Sequence, residues 1–161
     1  MKQISRQQLD SLAETAAQSP RRRANLNLHD TLDDPIQRLA IAMEPDTEVL
    51  PHRHPHTWEL LTPLKGRFVV LHFDEAGSVT QRTVLGEDSQ VVETPAGTWH
   101  AVLSLDEGGV IFEVKHGPYK PIATEDIAPW QACASTEQLL AWYSMANMGE
   151  RFLLSAAIKV I

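Results

Sequence analysis

The residues best suited to chemistry are His52, His54, His56 and Glu59, in the run His-Arg-His-Pro-His-Thr-Trp-Glu, together with His100 at the end of Pro95-Ala-Gly97-Thr-Trp-His. Three imidazoles and one carboxylate from two separated segments are what a single divalent transition-metal site needs. Imidazole suits zinc, iron, nickel and copper, and the carboxylate adds one negative charge to the ligand set. His52 and His54 are two apart, so in an extended chain they share a face. Strict alternation would send Glu59 the other way. The chain must therefore bend between them, and Pro55 supplies the break. Bound metal requires deprotonated imidazole, so affinity is expected to fall below roughly pH 6.5. His56 has three open roles: replacing His54, supporting a ligand from outside, or moving a proton.

The elements that must position these groups follow from periodicity. Ser5 and Gln8 form a capping box, and Ile4, Leu9, Leu12 and Ala16 give an apolar stripe, so a helix is expected over 6–18, ended by Ser19-Pro20. From there to about 117 the pattern has period two. Leu26 and Leu28 alternate with polar residues, as do Leu39, Ile41 and Met43. Further strand candidates are Arg67–Phe73, Val79–Leu85, Gln90–Thr94, Trp99–Leu105 and Val110–His116. Short strands at this spacing predict an antiparallel sandwich or barrel. Residues 117–134 read as an irregular crossing segment. Ser135 and Gln138 cap a second helix carrying Leu139, Leu140, Trp142, Tyr143 and Ala146, closed by Gly149. Phe152–Ile161 is apolar and is a candidate strand against the barrel or a partner subunit.

At 161 residues the chain fits one domain, divided into a helix and lead-in (1–20), a β core (21–117) and a crossing segment, helix and tail (118–161). Hydrophobic content of 43% with 22% charged residues describes a folded chain rather than a disordered one. The net charge of −7 argues against nucleic acid and anionic membranes as partners. Arg21-Arg22-Arg23 is the local exception, either a solvated basic patch or an anion site. The single cysteine, Cys133, permits no intramolecular disulfide, and no apolar leader is visible, so a cytoplasmic location is expected. On a strand through 23–29, Arg23, Asn25, Asn27 and His29 share a face, which suits either a solvent-facing edge or the mouth of a barrel that binds a hydroxylated or anionic ligand. Lys115 and Tyr119 are further candidates for that rim. His72 reads as a packed core residue, and His29 and His116 as surface or rim. Trp58 and Trp99 either pack the core or wall the pocket.

The arrangement His-x-His-x4-Glu-x6-Gly, from His52 to Gly66, resembles the first motif of the cupin superfamily, and Pro-x-Gly-x2-His, from Pro95 to His100, resembles the second. The resemblance implies a mainly β fold, a cupin-type antiparallel β-barrel or jelly roll with a short N-terminal and a C-terminal helix. It implies metal ligands at His52, His54, Glu59 and His100. The Gly that usually opens the second motif is Ser89 here, and the Asn that usually closes it is Ser104. Ser-Pro-Arg-Arg-Arg, Asn25-Leu-Asn27-Leu-His29, the two motifs, Glu113-Val-Lys-His-Gly-Pro-Tyr119 and Ala128-Pro-Trp130 are similar to the WbuC family of cupin-fold metalloproteins. That family occurs with bacterial surface-polysaccharide (O-antigen) biosynthesis.

These readings imply one divalent ion (Fe, Mn, Ni or Zn) and a small-molecule ligand such as a sugar or sugar phosphate. Arg23, Asn25, Asn27 and Tyr119 would contact it, Glu59 or His56 would move a proton, and the assembly is expected to be a homodimer. Lewis-acid isomerisation, epimerisation or elimination is one activity this supports. An iron-dependent oxygenase and a non-catalytic sugar-binding module are the alternatives.

Overall fold

In the computed structural model, which describes residues 1–131 and 134–152, the capping box forms as expected: Ser5 Oγ accepts from Gln8 N–H and Gln8 Oε1 accepts from Ser5 N–H. It opens helix α1, Arg6–Gln18, and Ser19 caps the other end. Eight strands follow: β1 (Arg23–Asn27), β2 (Ile36–Met43), β3 (Glu59–Lys65), β4 (Phe68–Phe73), β5 (Val79–Leu85), β6 (Val92–Thr94), β7 (Trp99–Ser104) and β8 (Gly109–His116). Helix α2 covers Thr136–Met145 under its own capping box, Ser135 with Gln138. The candidate strand over Phe152–Ile161 lies outside the described residues from 153 onward, as does Cys133.

Two antiparallel sheets result, one ordered β1-β2-β8-β3-β6 and the other β5-β4-β7. Alternation along the strands divides the apolar residues into three cores. Ala13 and Ala16 of α1 pack with Ala40, Ala42 and Val110 on the outer face of the large sheet. Met43, Leu61, Phe68, Val70, Leu85, Val102 and Ile111 fill the space between the sheets. Val69, Leu71, Phe73, Ala101 and Leu103 turn outward from the small sheet and are covered by Leu139 and Tyr143 of α2 and by Ala146, which caps it. Each helix thus seals one sheet, and the interior between the sheets is left to hold the site.

Strand β3 has no counterpart among the segments identified by periodicity. Its sequence Glu-Leu-Leu-Thr-Pro-Leu-Lys breaks the alternation, and Pro63 offers no donor to a ladder. The strand nevertheless pairs with β8, with a register shift after Pro63. That pairing sets Glu59 opposite Lys115, and Leu61 opposite Glu113. Among the described residues no helix is long and apolar enough to cross a membrane.

Candidate metal centre

His52 and His54 lie on an extended segment just before β3. Pro55 and His56 make the bend that alternation requires, and Glu59 enters as the first residue of β3. The second segment is brought in by a turn, Pro95-Ala96-Gly97-Thr98, closed by Thr98 N–H to Pro95 O at 3.2 Å. Gly97 sits at φ 77, where a Cβ would be strained, and its N–H donates to His54 O at 3.0 Å. Turn and ligand segment are therefore bonded to each other directly. His100, on β7, is buried and bridges His52.

The ligand atoms of His52, His54 and His100 all lie within 4.8 Å of one another. Two of the tautomers can be deduced. His52 Nδ1 is 2.8 Å from Leu50 O, and His100 Nδ1 is 2.9 Å from Thr98 O. A carbonyl only accepts, so each Nδ1 carries the proton and each neutral ring offers an Nε2 lone pair to the interior. Backbone acceptors of this kind also fix ring orientation in metal-bound histidines. His54 Nε2 and His100 Nε2 are buried without a hydrogen-bond partner among the described residues. A buried polar atom left unpaired costs about 1–3 kcal/mol, which a bound cation would remove. The donor set therefore fits a divalent transition metal.

Glu59 stands beside the trio. Its Oε2 is 3.2 Å from His54 Nε2 and its Oε1 3.4 Å from His100 Nε2, close by distance but misaligned for hydrogen bonds. Burial alone would raise the Glu59 carboxyl, but His100, His54 and Lys115 outweigh it and hold it well below the ordinary value. Burial alone would lower His100, and Glu59 outweighs that and raises it. His52, farther from the carboxylate, is pushed down to about 3 by burial, with His100 adding to the effect.

Two further charged groups face the same interior. Lys115 Nζ lies 2.6 Å from Glu113 Oε1 and 3.5 Å from Glu59 Oε2. Burial and the neighbouring Glu59 push the Glu113 carboxyl up to about 7, against the pull of Lys115. The sequence reading considered Lys115 for the rim and overlooked Glu113. The available signal was two opposite charges, two residues apart, on β8 directly after the apolar run Val110-Ile-Phe112.

His52, His54, Glu59, Glu113 and Lys115 open on one cavity of about 480 Å³, which Arg21, Arg23, Asn25 and Tyr119 also line, while His100 sits buried behind His52 and His54 and is not among the lining residues. Asn27 is not among the lining residues; it is exposed and accepts from Asn25 Nδ2 at 2.8 Å. His56 is exposed, its ring centre 6.3 Å from that of His54, and stands outside the trio. His29, expected at the surface or rim, is buried, with Nδ1 accepting from Arg38 N–H at 2.9 Å. Leu28 N–H donates to Arg38 O, and the His29 ring follows it onto the Arg38 backbone of β2. His72 is buried as expected and bonds Thr94 Oγ1 at 2.9 Å. Trp99 packs in the outer core of the small sheet, and Trp58 lies edge-on to His116 at 5.0 Å; neither lines the cavity.

A family profile described as "Domain of unknown function (DUF6016)" matches residues 4–85. No curated protein matches the sequence. Among solved structures, the TT1209 protein of Thermus thermophilus is similar at a TM-score of 0.53 and 16% identity, over 72% of this chain and 97% of that one. The BH2720 protein of Bacillus halodurans is similar at 0.51 and 18%, over 77% and 87%. An oxalate oxidase in complex with the substrate analogue glycolate is similar at 0.52 and 14%, over 80% and 67%. At such identities the likeness is one of fold. That fold is the cupin fold, here mainly antiparallel β-sheet with two helices.

Proposed function

The chain belongs to the family described as "Domain of unknown function (DUF6016)", and from its site we propose that it is a metal-dependent cupin acting on a small sugar-like or anionic molecule held between its sheets. The observation that carries this reading is the cluster of His52, His54 and His100, with the Nε2 atoms of His54 and His100 buried and unpaired among the described residues, where His52 and His54 line a cavity that also holds a carboxyl–ammonium pair. His52, His54 and His100 would hold the ion, with Glu59 as the fourth protein ligand. When bound, the ion supplies Lewis acidity, polarising a carbonyl or making a hydroxyl more acidic.

The chain's own groups define the rest. Glu113 and Lys115 present a carboxyl and an ammonium to the cavity beside Glu59, so they are placed to orient a ligand oxygen and to hold or move a proton at it. Glu59, flanked by two imidazoles and Lys115, is held as the anion. His56 stands at the exposed rim, where its part would be limited to ligand entry. Isomerisation, epimerisation or elimination are the reactions such a site supports. The resemblance to the WbuC family favours a ligand from bacterial surface-polysaccharide metabolism, in a cytoplasmic homodimer whose assembly light scattering would measure.

The test is metal analysis after anaerobic purification, followed by turnover assays with sugar phosphates and nucleotide sugars. About one ion per chain in the wild type, with product formed, supports the proposal. Absence of bound metal at saturating zinc, iron, manganese and nickel would overturn it. Oxygen uptake by an iron form would replace Lewis-acid chemistry with oxygenase chemistry. Binding with no turnover across the panel would leave a metal-dependent binding module.

A further inference from the structure

Arg21-Arg22-Arg23 is divided by its backbone. Arg22 sits at φ 55, a left-handed conformation uncommon for a side chain of this size, and turns outward to pair with Asp46 at 2.9 Å. Its two neighbours line the cavity instead. Across the opening runs the segment after β8, held to the loop before β2 by Gly117 N–H to Pro35 O and Tyr119 N–H to Leu32 O, each at 2.8 Å. It brings Tyr119 and Lys120 to the same cavity. Arg21, Arg23 and Lys120 therefore face one opening from two sides. None of them forms an ion pair among the described residues. Arg22, Arg38, Arg53 and Arg67 are paired to carboxylates, and of the unpaired cations among the described residues, which include Arg6, Arg82 and Arg151, only Arg21, Arg23 and Lys120, the lip of this opening, line the cavity. Arg23 is half-buried, and its burial and the adjacent Arg21 make its charge more costly to hold, which a bound anion would relieve.

Between the lip and the histidines the lining is mostly aliphatic, with Leu39, Ile41, Met43, Val49, Leu61 and Ile111, and Asn25, opposite Ile41 in register, is the polar exception. A ligand with a hydroxyl on every carbon would bury those groups against side chains that cannot pair with them. An alkyl segment would bury apolar surface there at about 25 cal/mol per Å² gained. Register gives the span. Arg23 pairs with Met43 and Leu39 pairs with Glu113, so lip and polar end are offset by four residues of β2. That is about 13 Å along the strand before the arginine side chain reaches back inward.

We infer that the cavity takes an anion with an apolar middle: an organic acid or phosphate ester whose charged end rests on Arg21, Arg23 and Lys120 while its oxygen-bearing other end reaches the histidine trio and the Glu113–Lys115 pair. This rests on the metal-centred reading above and, of its sugar-like and anionic ligands, selects the anionic. The charged end accepts from two guanidinium groups and an ammonium, a recognition that carboxylate and phosphate share.

Calorimetry on the zinc-loaded protein separates the possibilities. 2-Hydroxyadipate carries a chelating head, an alkyl middle and a distal carboxylate, and 2-hydroxyhexanoate lacks only the last. The first is expected to bind at least about tenfold tighter. That gap is expected to close in the triple variant Arg21→Gln, Arg23→Gln, Lys120→Gln, with zinc content and melting temperature unchanged. The ω-phosphonate analogue of 2-hydroxyadipate identifies the end group: tighter binding than the carboxylate assigns a phosphate ester, weaker binding an organic acid. Equal affinity for the two acids, or a gap that survives in the triple variant, would overturn the lip. Glucose 6-phosphate binding more tightly than 2-hydroxyadipate would overturn the apolar middle. Failure of the wild type to take up zinc would strike the metal-centred reading instead. The lip would then be tested on the metal-free protein with adipate against hexanoate, where the same loss in the triple variant is expected.

Discussion

His52 and His100 face one another across an antiparallel bridge and exchange both backbone hydrogen bonds, His52 N–H to His100 O at 3.0 Å and His100 N–H to His52 O at 2.8 Å. Their rings stand 4.5 Å apart, centre to centre. Two candidate ligands from distant parts of the chain are thus placed by main-chain bonds that need no imidazole. His100→Ala should therefore fold and keep the bridge while losing the ion. Metal at one hundred times its dissociation constant stabilises a folded chain by about 2.7 kcal/mol. For a domain of this size that is about 5–10 °C in melting temperature. Chelator should lower the wild-type melting temperature by that amount and leave the variant where it is. Unchanged metal stoichiometry in His100→Ala, measured by plasma mass spectrometry, would contradict the assignment.

The same pair sets the pH dependence of metal uptake. In the metal-free chain His52, pushed down to about 3, is already neutral throughout the range above that value. His100 is raised above the ordinary 6.5, because Glu59 outweighs the effect of burial. A metal must displace the proton that His100 takes up beside the Glu59 carboxylate. Affinity is then expected to climb with pH through a midpoint above 6.5, later than free imidazole would give. The two histidines act oppositely on stability. His52 is harder to protonate folded than unfolded, so it costs stability as pH falls from 6.5 towards 3. His100 is easier to protonate folded, so its contribution is present below 6.5 and lost as pH rises through its own value. Competition titrations from pH 5 to 9 measure the uptake; a flat profile or a midpoint at or below 6.5 would rule this out.

What could be read from the chain beforehand, and what could not, divides along physical lines. The convergence of His52, His54 and His100, with Glu59 beside them, was legible because the turn residues Pro55 and Gly97 fix the spacing of residue types that suit a metal. Helix α1 was legible to its ends because a capping box and Ser19-Pro20 are local signals. Strand β3 was not, since Pro63 interrupts its alternation and its existence depends on pairing with β8. Glu113 and Lys115 look like a solvent-facing alternation until β8 is known to lie between β2 and β3 with that face inward. The division of Arg21 and Arg23 from Arg22 depends on one left-handed residue, which the order of three identical side chains cannot disclose.

Arg53 lies between the candidate ligands His52 and His54 and points away from both. Its Nε donates to Asp126 Oδ1 at 2.8 Å, its N–H donates to Asp126 O at 3.0 Å, and its guanidinium carbon sits 4.4 Å over the Trp99 ring. These contacts hold residue 53 outward, and alternation then holds His52 and His54 inward. Arg53→Lys keeps the charge but loses the planar group that bonds Asp126 and stacks on Trp99 at once. It is expected to cost about 1–2 kcal/mol of stability and to weaken metal binding by up to about tenfold, with full occupancy restored at saturating metal. Denaturant melts and a chelator competition measure the two effects. Wild-type stability and affinity in the lysine variant would show that residue 53 positions nothing.

Tyr143 links α2 to the cavity wall. It is fully buried, and its hydroxyl donates to Val49 O at 2.9 Å. Val49 lines the cavity, and the next carbonyl, Leu50 O, accepts from His52 Nδ1. Tyr143→Phe preserves the packing and removes the one donor, leaving the Val49 carbonyl without it at a cost of about 1–2 kcal/mol, or about 2–8 °C. Metal stoichiometry should be unaffected, because no ligand bond is broken. Burial also holds the phenol well above its ordinary value of 10, so it stays protonated in the folded chain where the unfolded chain ionises. The wild type should therefore lose stability as pH rises beyond 10, and Tyr143→Phe should lose less over the same interval. Parallel melts of the two proteins between pH 8 and 11 decide the matter. Curves that stay a constant distance apart across that range would place the Tyr143 hydroxyl in contact with solvent.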